Sequence, residues 1–114
     1  MNQGVWTVLY PVEDLQKAKS LFTKLLGVDP IADAPYYVGY RVADQDIGLV
    51  PDGGQQGMTG VTPYFSVPDI RQALQGLIDG GATLVQDVRD VGYGKLVASV
   101  KDADGNMIGI TQLP

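Results

Sequence analysis

The 114-residue chain carries 13 acidic against 8 basic side chains, a net charge of −5, and contains neither cysteine nor histidine. Without cysteine there is no disulfide framework, thiolate metal site or thiol nucleophile, and without histidine the commonest general base and metal ligand are missing. The acidic balance leaves no basic stripe to neutralise phosphates, so the composition excludes a nucleic-acid partner. The length fits a single domain over residues 1–114. No apolar run approaches the ~20 residues that cross a bilayer, and MNQGVWTVLY lacks the charged start and cleavable apolar core of a signal peptide. The expectation is a cytoplasmic chain with no membrane partner.

Trp6-Thr-Val-Leu-Tyr10 reads as a strand ended by Pro11. Leu15, Ala18, Phe22, Leu25 and Leu26 then recur at helical spacing, with Asp14 as N-cap and Gly27 as the terminating residue. An extended piece near Pro30 to Asp33 follows, then strands over Tyr36–Val42 and Asp46–Val50. Residues 52–60 have the composition of a flexible connection. Val61–Val67 reads as a strand, which Pro63 demotes towards an edge or an irregular pairing. A second helix starts at Asp69, where Gln72 completes a capping-box pattern, buries Ile70, Ala73, Leu74, Leu77 and Ile78, and stops at Gly80-Gly81. Strands over Thr83–Val88, Lys95–Val100 and Met107–Gln112 complete the chain.

The order is βαβββ twice, module one at about 4–51 and module two at about 61–113. Val12-Glu-Asp-Leu with Ala18 matches Val67-Pro-Asp-Ile with Ala73, 55 positions on (14 to 69). Ile47-Gly-Leu matches Ile108-Gly-Ile, 61 positions on (48 to 109), which puts six extra residues in module two, expected within Asp87–Gly94. Neither half buries its sheet alone. The fold class is α+β, two βαβββ modules pairing into an incomplete curved β-barrel with the helices outside.

The run from Val12 to Gly27, V-x-D-L-x-x-A-x-x-L-F-x-x-x-L-G, resembles the first helix of the vicinal oxygen chelate superfamily, which includes glyoxalase I, extradiol dioxygenases and bleomycin resistance proteins. Gly80-Gly81-Ala82, Gly92-Tyr-Gly-Lys95 and Lys101-Asp-Ala-Asp-Gly-Asn106 resemble its second half. The resemblance implies that a metal, where present, is held by His or Gln on the first strand and Glu on the last strand of each module. Those positions fall on Thr7, Gly48, Thr62 and Gly109. Two hydroxyls and two absent side chains do not supply the three or more donors that a catalytic ion takes. The expectation is therefore no metal, no cofactor and no catalytic residue.

The same glycines are expected to leave room on the concave face. Strand alternation lines that face with Thr7, Leu9, Asp46, Gly48, Thr62, Tyr64, Met107, Gly109 and Thr111, while Val8, Tyr10 and Val12 pack under the helix. In the third strand either Tyr37 and Arg41 or Tyr40 points inwards, and matching to the superfamily favours Tyr37 and Arg41. Such a wall suits a small organic ligand. The leading expectation is a metal-independent binding protein of the bleomycin-resistance type, sequestering a drug or aromatic metabolite. One alternative is a metal-free isomerase or lyase using Asp46 with Arg41 or a tyrosine. Another is a non-catalytic dimerisation or regulatory module whose cavity is filled by Tyr37, Tyr64 and Met107. A homodimer is expected under each, because the sheet has edges to cover.

Overall fold

The structure is a computed structural model that describes residues 3–53 and 57–114, so positions 54–56 of the expected connection lie outside it. The elements are β1 (Val5–Pro11), α1 (Leu15–Leu26), β2 (Ala32–Ala34), β3 (Tyr37–Val42), β4 (Gln45–Val50), β5 (Thr62–Ser66), α2 (Ile70–Asp79), β6 (Thr83–Asp90), β7 (Leu96–Lys101) and β8 (Met107–Gln112). Both helices start in the same way. Asp14 and Asp69 sit in extended backbone, and each carboxylate accepts the N–H three residues on, from Lys17 and Gln72, at 3.1 Å. That bond satisfies one donor which every helix start leaves free. Gly27 ends α1 at φ 72°, a conformation that strains any residue with a Cβ.

The strands form one eight-stranded sheet in the order β2-β3-β4-β1-β5-β8-β7-β6. Within each module the first and last strands run parallel, β1 with β4 and β5 with β8. The modules join where β1 meets β5 antiparallel. The sheet stays open, an α+β arrangement with β2 and β6 as its edges.

Two expectations need correction. Pro63 does not mark an edge, because β5 lies at the centre of the sheet between β1 and β8. The β8 ladder begins at Tyr64, just past the proline, and the β1 ladder is irregular between Val5 and Thr7. Pro63 itself keeps regular register opposite Val8 and sits just outside the β8 ladder, so that ladder loses no position to it. The extra residues of module two are also more spread out. Ser99 faces Gly109 as Gly39 faces Gly48, so β7 sits 60 positions after β3 and one insertion falls in the turn after β7. The rest lie between α2 and β7, where β6 runs eight residues against three in β2. The turn after β7 is held by Asp102, whose Oδ1 accepts the N–H groups of Asp104 and Asn106, both at 2.9 Å.

Each helix covers one flank of the sheet. Leu15, Val38, Tyr40 and Leu49 form the core under α1, with Phe22 and Tyr10 packing ring to ring at 5.0 Å. Tyr40 is fully buried, and its hydroxyl donates to the Lys19 carbonyl (3.0 Å) and pairs with Thr23 Oγ1 (2.8 Å), fastening the helix to the sheet. Val67, Ile70, Ala73, Leu74, Val100 and Ile110 anchor the matching core under α2. Val8, expected under α1, belongs to neither core.

Candidate functional site

The sheet face away from the helices is built by register. Thr7 stands opposite Asp46 on one side and Tyr64 on the other, and Leu9 opposite Gly48 and Thr62. Arg41 faces Asp46, Gly39 faces Gly48, and Tyr64 faces Gly109. Tyr37, Met107 and Thr111 join this face by alternation along β3 and β8. The strand pattern thus brings all eleven singled-out residues onto one face, with Tyr40 on the other.

What the glycines make room for is the chain itself. A Cβ built on Gly109 would lie 2.5 Å from Tyr64 Cδ2 and 2.6 Å from its Cγ, so the Tyr64 ring lies flat over that backbone. A Cβ on Gly48 would lie 2.5 Å from the Tyr37 hydroxyl and 2.6 Å from Leu9 Cδ2. The same Tyr37 ring crosses Gly39, at 2.7 Å from Cε2. Beside these rings, Met58 from the connecting segment packs with Val50 and Met107, against Leu9, Tyr37 and Val85. The expected room is therefore a correction: the space above both glycines is occupied by tyrosine. Two hollows, of about 190 Å³ and 260 Å³, lie elsewhere, one at the start of α2 by Val67 and Asp69, the other between α2 and β6.

The polar groups are committed as well. Thr62 donates to the Gly60 carbonyl at 3.2 Å and Thr111 to the Leu96 carbonyl at 3.0 Å. Arg41 grips Asp46 with two bonds, Nε to Oδ1 at 2.8 Å and Nη2 to Oδ2 at 3.3 Å. The bond and then the charge of Asp46 raise the already high pKa of the guanidinium. Both carboxylate oxygens of Asp46 are thereby engaged with the guanidinium. Burial raises the pKa of Tyr37, with the Asp46 charge adding to it. Burial also raises the pKa of Tyr64, partly offset by Arg89.

A divalent ion does not fit this donor set. Thr7 and Thr62 offer only neutral hydroxyls, the two glycine positions are roofed by aromatic rings, and Asp46 is paired with Arg41. Among the described residues, no three acidic side chains lie close enough together to hold a metal. Sequence reasoning missed Gly39 and Met58. The signal for Gly39 was present, since alternation sets it on the same face as Tyr37. For Met58, a lone apolar residue in a glycine- and glutamine-rich segment, there was none.

The sequence profile of the Glyoxalase/Bleomycin resistance protein/Dioxygenase superfamily matches residues 5–110. The chain belongs to this superfamily. No curated protein matches it significantly. Among solved structures, a superfamily member from Vibrio splendidus 12B01 is 19% identical with a TM-score of 0.72, covering 93% of this chain and 95% of that one. Methylmalonyl-CoA epimerase from Mycobacterium tuberculosis is 18% identical with a TM-score of 0.75, covering 99% and 89%. A Legionella pneumophila protein described as an NAD-dependent benzaldehyde dehydrogenase is 18% identical with a TM-score of 0.73, covering 95% and 98%. At these identities the likeness is one of fold alone, and it extends to proteins of different described activity.

Proposed function

We propose that this chain is a metal-independent, non-catalytic member of the superfamily that works by binding. The observation that carries this reading is the roof of aromatic rings: Tyr64 over Gly109 and Tyr37 over Gly48 close the two last-strand positions that would otherwise carry carboxylate ligands. The bidentate Arg41–Asp46 pair argues against the metal-free isomerase or lyase reading, because it leaves no free carboxylate base on this face. Metal analysis of protein purified without chelators tests the proposal. The expected result is far less than one transition metal per chain and no thermal shift on adding zinc, nickel or manganese. One equivalent of metal that is lost in Thr62→Ala would overturn it.

A second reading, capture of a small aromatic guest, is supported by Tyr37 itself. Its ring is only half-buried, and no hydrogen bond to another described residue ties its hydroxyl. A flat ring of similar size would replace it over Gly39 and Gly48 once Tyr37 swings outward. A guest that must displace a side chain binds more weakly by the fraction of time the seat is free. Phenol should therefore stabilise Tyr37→Ala more than it stabilises wild type, and should lose that effect in Tyr37→Ala/Gly48→Val. Equal responses in all three proteins would remove this reading.

A further inference from the structure

The two modules finish the junction between helix and edge strand differently. In module one Lys19 of α1 pairs with Asp33 of β2, and Thr23 bonds to Tyr40, so polar contacts bridge that flank. Fifty-five positions on, Lys19 and Thr23 become Leu74 and Ile78, and the space between α2 and β6 stays open as the hollow of about 260 Å³. Arg71, Leu74, Gln75 and Ile78 line it from the helix, a stripe at three- and four-residue spacing. Leu84, Asp87 and Val88 line it from β6. Leu74, Ile78 and Val88 belong to the core under α2, but Leu84 does not and is 43% exposed.

The irregularity of β6 is what brings Asp87 to this wall. Leu84 stands opposite Val100 of the α2 core, so it faces the helix. Gln86 stands opposite Ser99 and Arg89 opposite Val97, whose own partners Gly109 and Thr111 lie on the inner face. An unbroken strand through Arg89 would send Asp87 to the inner face as well. The register shift between Gln86 and Arg89 turns both Asp87 and Val88 towards α2 instead. Bulges that re-aim a side chain in this way concentrate beside functional sites. Asp87 Oδ1 accepts the Val88 N–H at 2.7 Å, and its other oxygen has no partner among the described residues. Arg71 likewise has no ion pair among them, with Asp87 or any other carboxylate.

The chain reverses at Gly80-Gly81-Ala82, so α2 and β6 run in opposite directions along the groove. From Ile78 back to Arg71 the helix covers about 10 Å, and from Leu84 on to Asp87 the strand covers about the same. Both charges therefore stand at one end, and the aliphatic floor runs away from them. That is the layout of an α-amino acid, whose carboxylate and ammonium share one carbon while the side chain extends from it. At about 30 Å³ per water-sized group the hollow holds roughly nine, matching the non-hydrogen atoms of leucine. We propose that the groove between α2 and β6 binds a free amino acid with a branched aliphatic side chain. Arg71 takes its carboxylate and the free oxygen of Asp87 its ammonium, both in charge-assisted bonds. Leu74, Ile78, Leu84 and Val88 cover its side chain. The groove lies across the sheet from the tyrosine roof and does not depend on it.

An amide NMR titration of the full chain with L-leucine, carried to millimolar concentrations, tests the proposal. Saturable shifts should be confined to α2 and β6, around Arg71, Leu74, Asp87 and Val88, and glycine should produce none. Both charged side chains are exposed, so Arg71→Gln and Asp87→Asn should keep the fold, and Asp87→Asn retains the acceptor for the Val88 N–H. Each should weaken leucine at least about tenfold. Isoamylamine, which lacks the carboxylate, should respond to Asp87→Asn alone, and isocaproate, which lacks the ammonium, to Arg71→Gln alone. An absence of saturable shifts with leucine would overturn the proposal. So would binding unchanged in both variants, or shifts centred on Gly39 and Gly48 of the inner face.

Discussion

Gly109→Ala and Gly48→Ala look alike in sequence and should behave differently. Neither glycine has a positive φ, so alanine is allowed by the backbone at both, and the lost chain entropy of glycine favours alanine by about 0.5–1 kcal/mol. The difference lies in what the new methyl group meets. At Gly109 it meets Cγ and Cδ2 of Tyr64, the root of a ring that is 8% exposed and held between β1 and β8. Overpacking against a ring that cannot yield costs about 1–3 kcal/mol. At Gly48 it meets the hydroxyl and Cε1 of the half-buried Tyr37 and a terminal methyl of Leu9, all of which can give way. Gly109→Ala should therefore lower stability by about 1–2 kcal/mol net, and Gly48→Ala should stay within about 1 kcal/mol of wild type. In thermal unfolding the first shifts the midpoint by roughly 4–8 °C. Tyr64→Leu should remove most of the Gly109→Ala penalty, a coupling of about 1–2 kcal/mol in a double-mutant cycle. A neutral Gly109→Ala, or additive effects in that cycle, would mean that the ring does not lie over this glycine and would take the roof argument with it.

Removing the Tyr40 hydroxyl in Tyr40→Phe leaves the Lys19 carbonyl without that donor, and should cost about 1 kcal/mol in urea unfolding. Asp69→Ala, which removes the α2 cap, should cost a similar ~1 kcal/mol. Tyr37 and Tyr64 both hold their protons more tightly folded than unfolded. Their contribution to stability is complete below pH ~10 and is lost as pH climbs through the raised folded values. Absorbance at 295 nm should show a late-ionising tyrosine phase whose amplitude falls in Tyr37→Phe. Bonds from the Asn106 side chain and backbone lower the pKa of Asp102. Its contribution is present above the ordinary carboxylate range and fades as pH falls through the lowered value, so Asp102→Asn should flatten the acid limb of the stability profile.

Most of the architecture could be read from local chemistry. Caps at Asp14 and Asp69, the terminating Gly27 and period-two strands gave the elements, and the offset between Ile47-Gly-Leu and Ile108-Gly-Ile gave the duplication. Alternation assigned the inner face for the same reason: a strand has two faces, and one marked residue fixes all the others. Occupancy was not legible. A glycine in a strand announces close approach, yet whether a ligand or a neighbouring ring approaches depends on cross-strand register. Only pairing β3 with β4 sets Gly39 beside Gly48 under one tyrosine. Pro63 misled because its cost was weighed alone, whereas the strand it sits in is held on both sides. Val8 was assigned to α1 because it has the right phase for a helix-covered position, and phase does not say how far a helix reaches.

The ring above Gly109 also bears on how such a protein changes over generations. Putting a glutamate at this position would require Tyr64 to shrink first, and losing that ring opens a void before any cation is there to reward the change. The intermediate is less stable than either end point. Two neighbouring strands thus act as a ratchet: acquiring a carboxylate at this position takes two coordinated steps through a poorer fold.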